Sequence, residues 1–403
     1  MRGEQRLREV GIVGVGHPPF GKYEGSLMDM LCEAAVEALD DAGVKTGAGH
    51  GVDQVLVSTM GGSQVNRQTG VASALVDSLN LRPAMAETVE NGPASGASAV
   101  KLGYMAIASG MCDVVLVVGG ERMRVLSGWE ATDFVATMLH PEAEYAYGLT
   151  LPSFAGMFTR LIMAKYGVTE RDLAMVSVKN HENAMFNPSA HIQLVPNLEA
   201  ITEDEDALTI NPYVAEPLHL YDTCPVSDGA AAVVLCALDV RERFARRPIK
   251  IAGIGQATDT HVVAEREVPT DLLAVRLAAK RAYAMAGLEP QDIDVAELHD
   301  AFTILEVVES EEVGFFPRGE GHLAVRRGET RIGGRIPINT SGGLKAKGHP
   351  LGATGVSQII ELVKQLRGEA HGRQVKGAKA GLAVNFGGFG NNVVATILAG
   401  EEE

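Results

Sequence analysis

The segment VENGPASGAS, residues 89–98, ends a strand-like run (Met85 to Val89) in a Gly-Pro corner and then opens on small residues into a predicted helix. Corners of this kind hold a side chain out at a helix N-terminus, where enzymes mount nucleophiles. Here the corner residue is Pro93, which has neither a nucleophilic atom nor an N–H. The bland reading is a glycine-rich turn with proline at the first helical position, where proline is favoured.

Working outward, the first part of the chain alternates strand and helix. EVGIVGVGHPPFG (9–21) is a short apolar strand ending in glycines and prolines. SLMDMLCEAAVEALDDAGV (26–44) carries apolar residues at helical spacing. VDQVLVSTM (52–60) is a strand, ASAVKLGYMAIASG (97–110) an Ala-rich helix closed by glycine, and CDVVLVVGGERM (112–123) a strand apolar on both faces. The later part repeats the order: RPIKIAGIG (247–255), the helix DLLAVRLAAKRAYAMAGL (271–288), IDVAELHDAF (293–302), the glycine-opened helix GHPLGATGVSQIIELVKQLRG (348–368), then strands 379–392 and 392–401. Both halves run strand, helix, strand, then a Gly-Pro or His-Pro corner into a helix, then a closing strand. The sequence therefore predicts a duplicated α/β unit with central parallel strands and helices on both faces. Its expected division is 1–123 plus 223–243, an insertion over the mouth of the site at 124–222, and 244–403.

Composition narrows the function. The 403 residues are 46% hydrophobic with 46 glycines, as expected of a large α/β enzyme with many tight turns. A net charge of −16 argues against nucleic acid or an anionic membrane as partner. The acidic run at 203–207 reads as a solvated loop. Cys32, Cys112, Cys224 and Cys236 are scattered without C-x-x-C spacing, so no zinc site or disulfide framework is indicated, and they read as structural. No apolar run reaches membrane-spanning length and MRGEQRLREV has no leader-like apolar region, so a cytoplasmic protein is expected.

Three further stretches could carry chemistry. LHDAF (298–302) puts His299 and Asp300 at the C-terminal end of a predicted strand, where open α/β sheets keep their ligand sites. NTSGGLKAKGHPLGATG (339–355) has five glycines around His349 at a helix start, a density that packing alone does not readily explain. VNFGGFGNN (384–392) reads as a β-bulge or as a loop whose N–H groups face a ligand. Imidazoles and backbone N–H groups at strand ends suit a small-molecule site that stabilises an oxyanion.

In order and wording these motifs, with DVVLVVGGERM and CPVSDGAAAVVL, resemble the thiolase superfamily from end to end. The similarity is greatest to the branch of sterol-carrier-protein-x thiolases and acetyl-CoA acetyltransferase-like relatives. The resemblance implies duplicated βαβαβαββ domains in an α-β-α-β-α arrangement of five layers, two five-stranded sheets, an inserted loop domain that binds acyl-CoA, and a homodimer or dimer of dimers. It also implies a possible small zinc-ribbon/OB-fold partner, with coenzyme A entering as part of the substrate and no bound cofactor or metal. Where the family pattern has its acyl-accepting cysteine, this sequence has Pro93, which removes thiol and N–H donor together. Ser95 sits two residues along, without an evident base. The positions related to the second cysteine hold Ala301 and, approximately, Asn385.

What the resemblance leaves is His349 and His299 as oxyanion and proton-handling groups, Asp300 beside them, a Gly387 N–H in the glycine turn, and Gly343 and Gly348 at the substrate. Three functions compete: an acyl-CoA enzyme making or breaking a C–C bond through an enolate without an acyl-cysteine; a non-catalytic acyl-CoA-binding or scaffolding subunit; and residual acetyl-CoA acetyltransferase activity. Asp300, His140, Tyr145 and Tyr147 are the alternatives to the histidines as base.

Overall fold

A short capping sequence starts the first long helix. Ser26 Oγ accepts from Asp29 N–H at 3.1 Å and the Asp29 carboxylate accepts from Ser26 N–H at 2.8 Å, a reciprocal cap. The helix α1 (Leu27–Ala42) ends at Gly43, whose φ of +74° suits glycine, and buries Leu27, Met30, Leu31, Ala34, Ala35, Ala38 and Leu39 along one face. It follows β1 (Val10–Gly16) and precedes β2 (Gln54–Ser58), α2 (Val71–Ser78), β3 (Met85–Val89), α3 (Ser95–Ala108) and β4 (Val114–Glu121). The computed structural model describes residues 7–45 and 51–400. Most of the amino-terminal stretch read for a leader therefore lies outside the described residues.

The segment after β4, expected as an insertion, is largely helical: α4 (Gly128–Ala136), α5 (Leu151–Tyr166), α6 (Glu170–Ala184) and two short helices, α7 (Leu198–Thr202) and α8 (Ala207–Ile210). A small hairpin of β5 (Tyr213–Ala215) and β6 (Leu218–His219) closes it before β7 (Gly229–Ala237). The second half then runs β8 (Ile249–Thr258), α9 (Leu273–Ala286), β9 (Val295–Glu297), α10 (Thr303–Glu312), α11 (Gly321–Arg326), α12 (Leu351–Arg367), β10 (Ala380–Gly387) and β11 (Asn392–Ala399).

The strands form a mixed sheet in the order β3-β2-β4-β7-β1-β8-β11-β10-β9. Within it β3, β2 and β4 are parallel, as are β9 and β10, while β7, β1, β8 and β11 pair antiparallel. Among the described residues, the sheet passes from one half to the other through Gly11 opposite Lys250 and Ile12 opposite Ile249. Each half repeats one order, with β9, β10, β11 and β8 standing where β2, β4, β7 and β1 stand in the first. The second half falls short of the expected five strands. The counterpart of β3 shrinks to one parallel bridge, Ala296 to Ile338.

Five layers result. Helices α1 and α2 cover the outer face of the first half and α9 that of the second, while α3 and α12 pack together between the halves. Lying between two sheet halves, α12 is buried almost all round. Its glycines have a packing role that the sequence pattern concealed. A Cβ at Gly355 would come within 2.3 Å of Ala97 N, and one at Gly352 within 2.4 Å of Ser58 O. Missing side chains let α12 approach α3 backbone to backbone at Gly355 and the end of β2 at Gly352. No helix among the described residues is long and apolar enough to cross a membrane.

Candidate active site

The corner at Pro93 begins α3 and the corner at His349 begins α12, at equivalent places in the two halves. Between them, under the helical insertion, lies a cavity of about 210 Å³ lined by Pro93, His299, Ala301, His349 and Cys224 among mostly apolar side chains such as Leu351, Phe386 and Phe389.

The Pro93 corner turns its donors inward. Gly92 N–H donates to the Glu90 carboxylate at 2.6 Å, Ala94 N–H to Asn91 O at 3.1 Å and Ser95 N–H to Gly92 O at 3.1 Å. Ser95 Oγ donates to Gly92 O at 2.5 Å and accepts from Asn91 N–H at 2.7 Å. Ser95 is therefore a lock on the turn and lies outside the cavity. This corner shapes a wall and offers the ligand neither a thiol nor these N–H groups.

The opposite corner carries the polar chemistry. The buried Glu121 carboxylate accepts from Met60 N–H, Gly61 N–H and Gly352 N–H at 2.8–3.1 Å, tying the start of α12 to the first half. The Thr354 hydroxyl gives its proton to Pro350 O at 2.9 Å and so accepts from His349 Nδ1–H at 2.7 Å. That bond places the His349 proton on Nδ1 and leaves Nε2 with a lone pair. His299 has the reverse arrangement. Asn385 Oδ1 accepts from Ala97 N–H at 3.4 Å, which turns Asn385 Nδ2 toward His299 Nδ1 at 3.1 Å. Nδ1 is then the acceptor and the His299 proton sits on Nε2.

The two rings meet edge-to-face, centroids 5.0 Å apart, and His299 also packs on Phe386 at 4.4 Å. Both are neutral at pH 7. Burial, with Lys347 nearby, pushes His349 down to about 3, and burial with His349 as neighbour pushes His299 well below the ordinary histidine range. One wall thus presents a lone pair and an N–H donor side by side in an apolar chamber, an arrangement that can accept a proton and hold an oxyanion together.

The remaining sequence-derived candidates divide. Ala301 and Asn385 stand at the site, the first lining it and the second orienting His299. Asp300 does not reach the cavity. Its carboxylate accepts from Leu344 N–H and Asn180 Nδ2, each at 2.7 Å, and burial beside Glu306 raises it to about 7. Beyond the end of β9 the chain turns tightly, Asp300 N–H donating to Leu298 O and Ala301 N–H to His299 O, so that His299 lines the cavity and Asp300 lies behind it.

Gly343 (φ +59°) packs against Asp300, and Gly348 (φ +111°) against Ser227; both shape the loop behind the wall. The glycine turn proves to be a simple hairpin connection between β10 and β11, with no bulge. Gly387 lines a neighbouring polar cavity of about 540 Å³, which shares Met138 and Gly388 with the first. His140 Nδ1 accepts from Glu142 N–H and Ala143 N–H, Tyr145 OH donates to Asp133, and Tyr147 is exposed; none of the three lines the imidazole cavity. Sequence reading missed Cys224, which does line it. No sequence signal marks it: the fold brings Thr223–Cys224 beside Ala301–Phe302.

A family model described as thiolase, N-terminal domain, matches residues 10–239, and one described as thiolase C-terminal domain-like matches 255–400. The chain belongs to the thiolase family. This thiolase-family chain is 41% identical over 394 residues to an acetyl-CoA acetyltransferase of Methanothermobacter thermautotrophicus, covering 98% of this chain and 100% of that one. It is 34% identical over 407 residues to sterol carrier protein 2 of Homo sapiens, covering 97% and 72%. Among solved structures, an Ltp2-ChsH2(DUF35) aldolase superposes with a TM-score of 0.80 at 26% identity, covering 98% and 99%. Human mitochondrial 3-ketoacyl-CoA thiolase in complex with CoA shares the fold, with a TM-score of 0.69 at 20% identity over 98% and 99%.

Proposed function

We propose that this thiolase-family protein binds an acyl-CoA thioester with its acyl end in the imidazole cavity. There it makes or breaks a C–C bond at the α-carbon through an enolate, with no acyl group carried on the protein. The pair of neutral imidazoles with opposite ring protonation carries the reading. His299 Nε2–H is a donor for the thioester oxygen as it becomes an enolate, and His349 Nε2 takes or returns the proton on the reaction partner's oxygen.

Pro93 stands, on this reading, where relatives carry a nucleophile, and keeps the wall while making covalent transfer impossible at that residue. On the same reading the chain divides into 1–123 plus 223–243, 124–222 and 244–403, with substrate between the insertion and the two corners. Coenzyme A enters as part of the substrate, and the assembly expected is a homodimer or dimer of dimers, with a small zinc-ribbon/OB-fold protein as a candidate partner.

The similarity to a thiolase-like aldolase at 26% identity favours C–C chemistry. Acyl transfer is the second reading, favoured by the 41% identical acetyltransferase and opposed by the lack of a nucleophile at Pro93. Exchange of the α-protons of acetyl-CoA and longer acyl-CoAs in deuterated water, with His349→Ala as control, tests the proposal. Exchange in the wild type is expected, with its loss in the variant, because the His349 Nε2 lone pair is where a proton released in the chamber comes to rest. No exchange with intact acyl-CoA binding would sink it and favour a non-catalytic subunit.

A further inference from the structure

The enolate reading leaves one proton without an owner, the one the α-carbon itself gains or loses. Five side chains with exchangeable ring, hydroxyl or thiol groups line the imidazole cavity: Thr132, Thr223, Cys224, His299 and His349. Thr132 gives its hydroxyl proton to Gly128 O and Thr223 gives its own to Leu220 O, each at 3.0 Å. His349 commits its ring proton to Thr354, and His299 directs Nε2–H at the thioester oxygen. Cys224 remains, with an S–H that goes to no protein acceptor in the cavity wall.

Its position is fixed by backbone pairing. Thr223 bridges Phe302 in antiparallel fashion and Cys224 N–H donates to Ala301 O at 2.9 Å. Cys224 is therefore the cross-strand neighbour of Ala301, which follows His299 by two residues, and the Cβ atoms of such a pair lie roughly 4.5–5.5 Å apart. The methyl group of Ala301 leaves room beside the sulfur. Two imidazoles, 1% and 7% exposed, line the same chamber, and their Nε2 atoms have no hydrogen-bond partner among the described residues. The other three cysteines lie outside it.

We propose that Cys224 Sγ–H delivers the proton to the α-carbon of the thioester enolate, and that its thiolate removes that proton in the reverse direction. The inference rests on the enolate reading above. In the cleavage direction His349 Nε2 takes the proton of the β-hydroxyl. The Cα–Cβ bond breaks, its electron pair forms the enolate, and Cβ leaves as a carbonyl. Cα then takes the proton from Cys224, and the His349 imidazolium returns its own proton to the thiolate, restoring both groups. Burial pushes the Cys224 thiol up to about 12. It stays protonated at neutral pH, which suits a proton donor to carbon and not a nucleophile.

The test compares Cys224→Ala and the near-isosteric Cys224→Ser with wild type for α-proton exchange of acetyl-CoA in deuterated water. Acyl-CoA affinity is measured alongside by equilibrium binding. Exchange should fall by about 10²–10⁴-fold in both variants while affinity stays within about threefold. Exchange at the wild-type rate in either folded variant would overturn the Cys224 role while leaving the enolate reading standing. Absence of exchange in the wild type would overturn the enolate reading and this role with it. Alkylation by iodoacetamide, located by peptide mass spectrometry, supplies a readout independent of turnover: acyl-CoA should protect Cys224, and unprotected alkylation would place the thiol away from substrate and refute the proposal.

Discussion

Replacing Asn385 by aspartate reverses one hydrogen bond and almost nothing else. The side chain keeps its shape and its acceptor to Ala97 N–H, but the atom facing His299 Nδ1 changes from donor to acceptor. The ring answers by moving its proton from Nε2 to Nδ1, and the cavity loses its oxyanion donor. Loss of one such donor costs about 2.7–4 kcal/mol, or roughly 10²–10³-fold in rate. The apolar lining of the cavity is untouched, so affinity for acyl-CoA should change little. The assay is α-proton exchange of acetyl-CoA beside equilibrium binding, with nitrogen-15 NMR of the histidines reporting which ring nitrogen is protonated. Exchange within about threefold of wild type, with the tautomer shown to be reversed, would refute the donor role. An unreversed tautomer would refute the assignment made from the Asn385 bond.

Pro93→Cys should place a thiol on the cavity wall across from His349, and intact-mass spectra after incubation with acetyl-CoA should show an acetyl adduct that wild type lacks; an adduct on the wild type would contradict the non-covalent reading. Lys179→Met should destabilise the protein by about 3–5 kcal/mol in denaturant titrations, because it strips the buried Glu306 of an ion-pair partner at 2.8 Å. A change below about 1 kcal/mol would mean that the pair is dispensable. Stability at low pH should depend on His349. Folded, the ring stays neutral down to about 3, while in the unfolded chain it protonates near the ordinary 6.5. Its contribution is fully present above that upper value. It declines as pH falls through the window, by about 1.4 kcal/mol per unit, since the unfolded state binds the extra proton there. His349→Leu should therefore show a shallower acid limb in pH-dependent denaturation, and identical limbs would rule out the buried neutral ring.

The duplicated strand–helix order and the two corners were legible because glycine and proline mark turns whatever surrounds them. Burial of charge defeated the pattern elsewhere. Helix α10 spaces Glu306, Glu309 and Glu312 three residues apart, a polar face that sequence alone would turn to solvent, yet all three positions are buried. The carboxylates are held instead by partners remote in sequence, Lys179 and Asn180 for Glu306 and the His299 N–H for Glu309. At the site, His299 and His349 were legible as residues, but their complementary protonation depends on Asn385 and Thr354. Only folding makes those bonds. Asp300 neighbours His299 in sequence, but the turn after β9 sends its carboxylate to Leu344 and Asn180, which nothing in LHDAF shows. Cys224 reads as structural in sequence because free cysteine is usually buried, and only the bridge between Thr223 and Phe302 brings it to the chamber.

The near-twofold repeat of the halves has a consequence for how such a site can change. Each half supplies one copy of the same strand-to-helix bend, so the chamber is framed by two interchangeable mounts. In this chain one mount carries an imidazole and the other a ring with nothing to donate. Because the frame is secured from behind, by Ser95 on one side and Glu121 on the other, the residue on either mount can be exchanged without rebuilding its partner. A symmetric scaffold can thus hold an asymmetric chemistry, and new reactions become accessible one bend at a time.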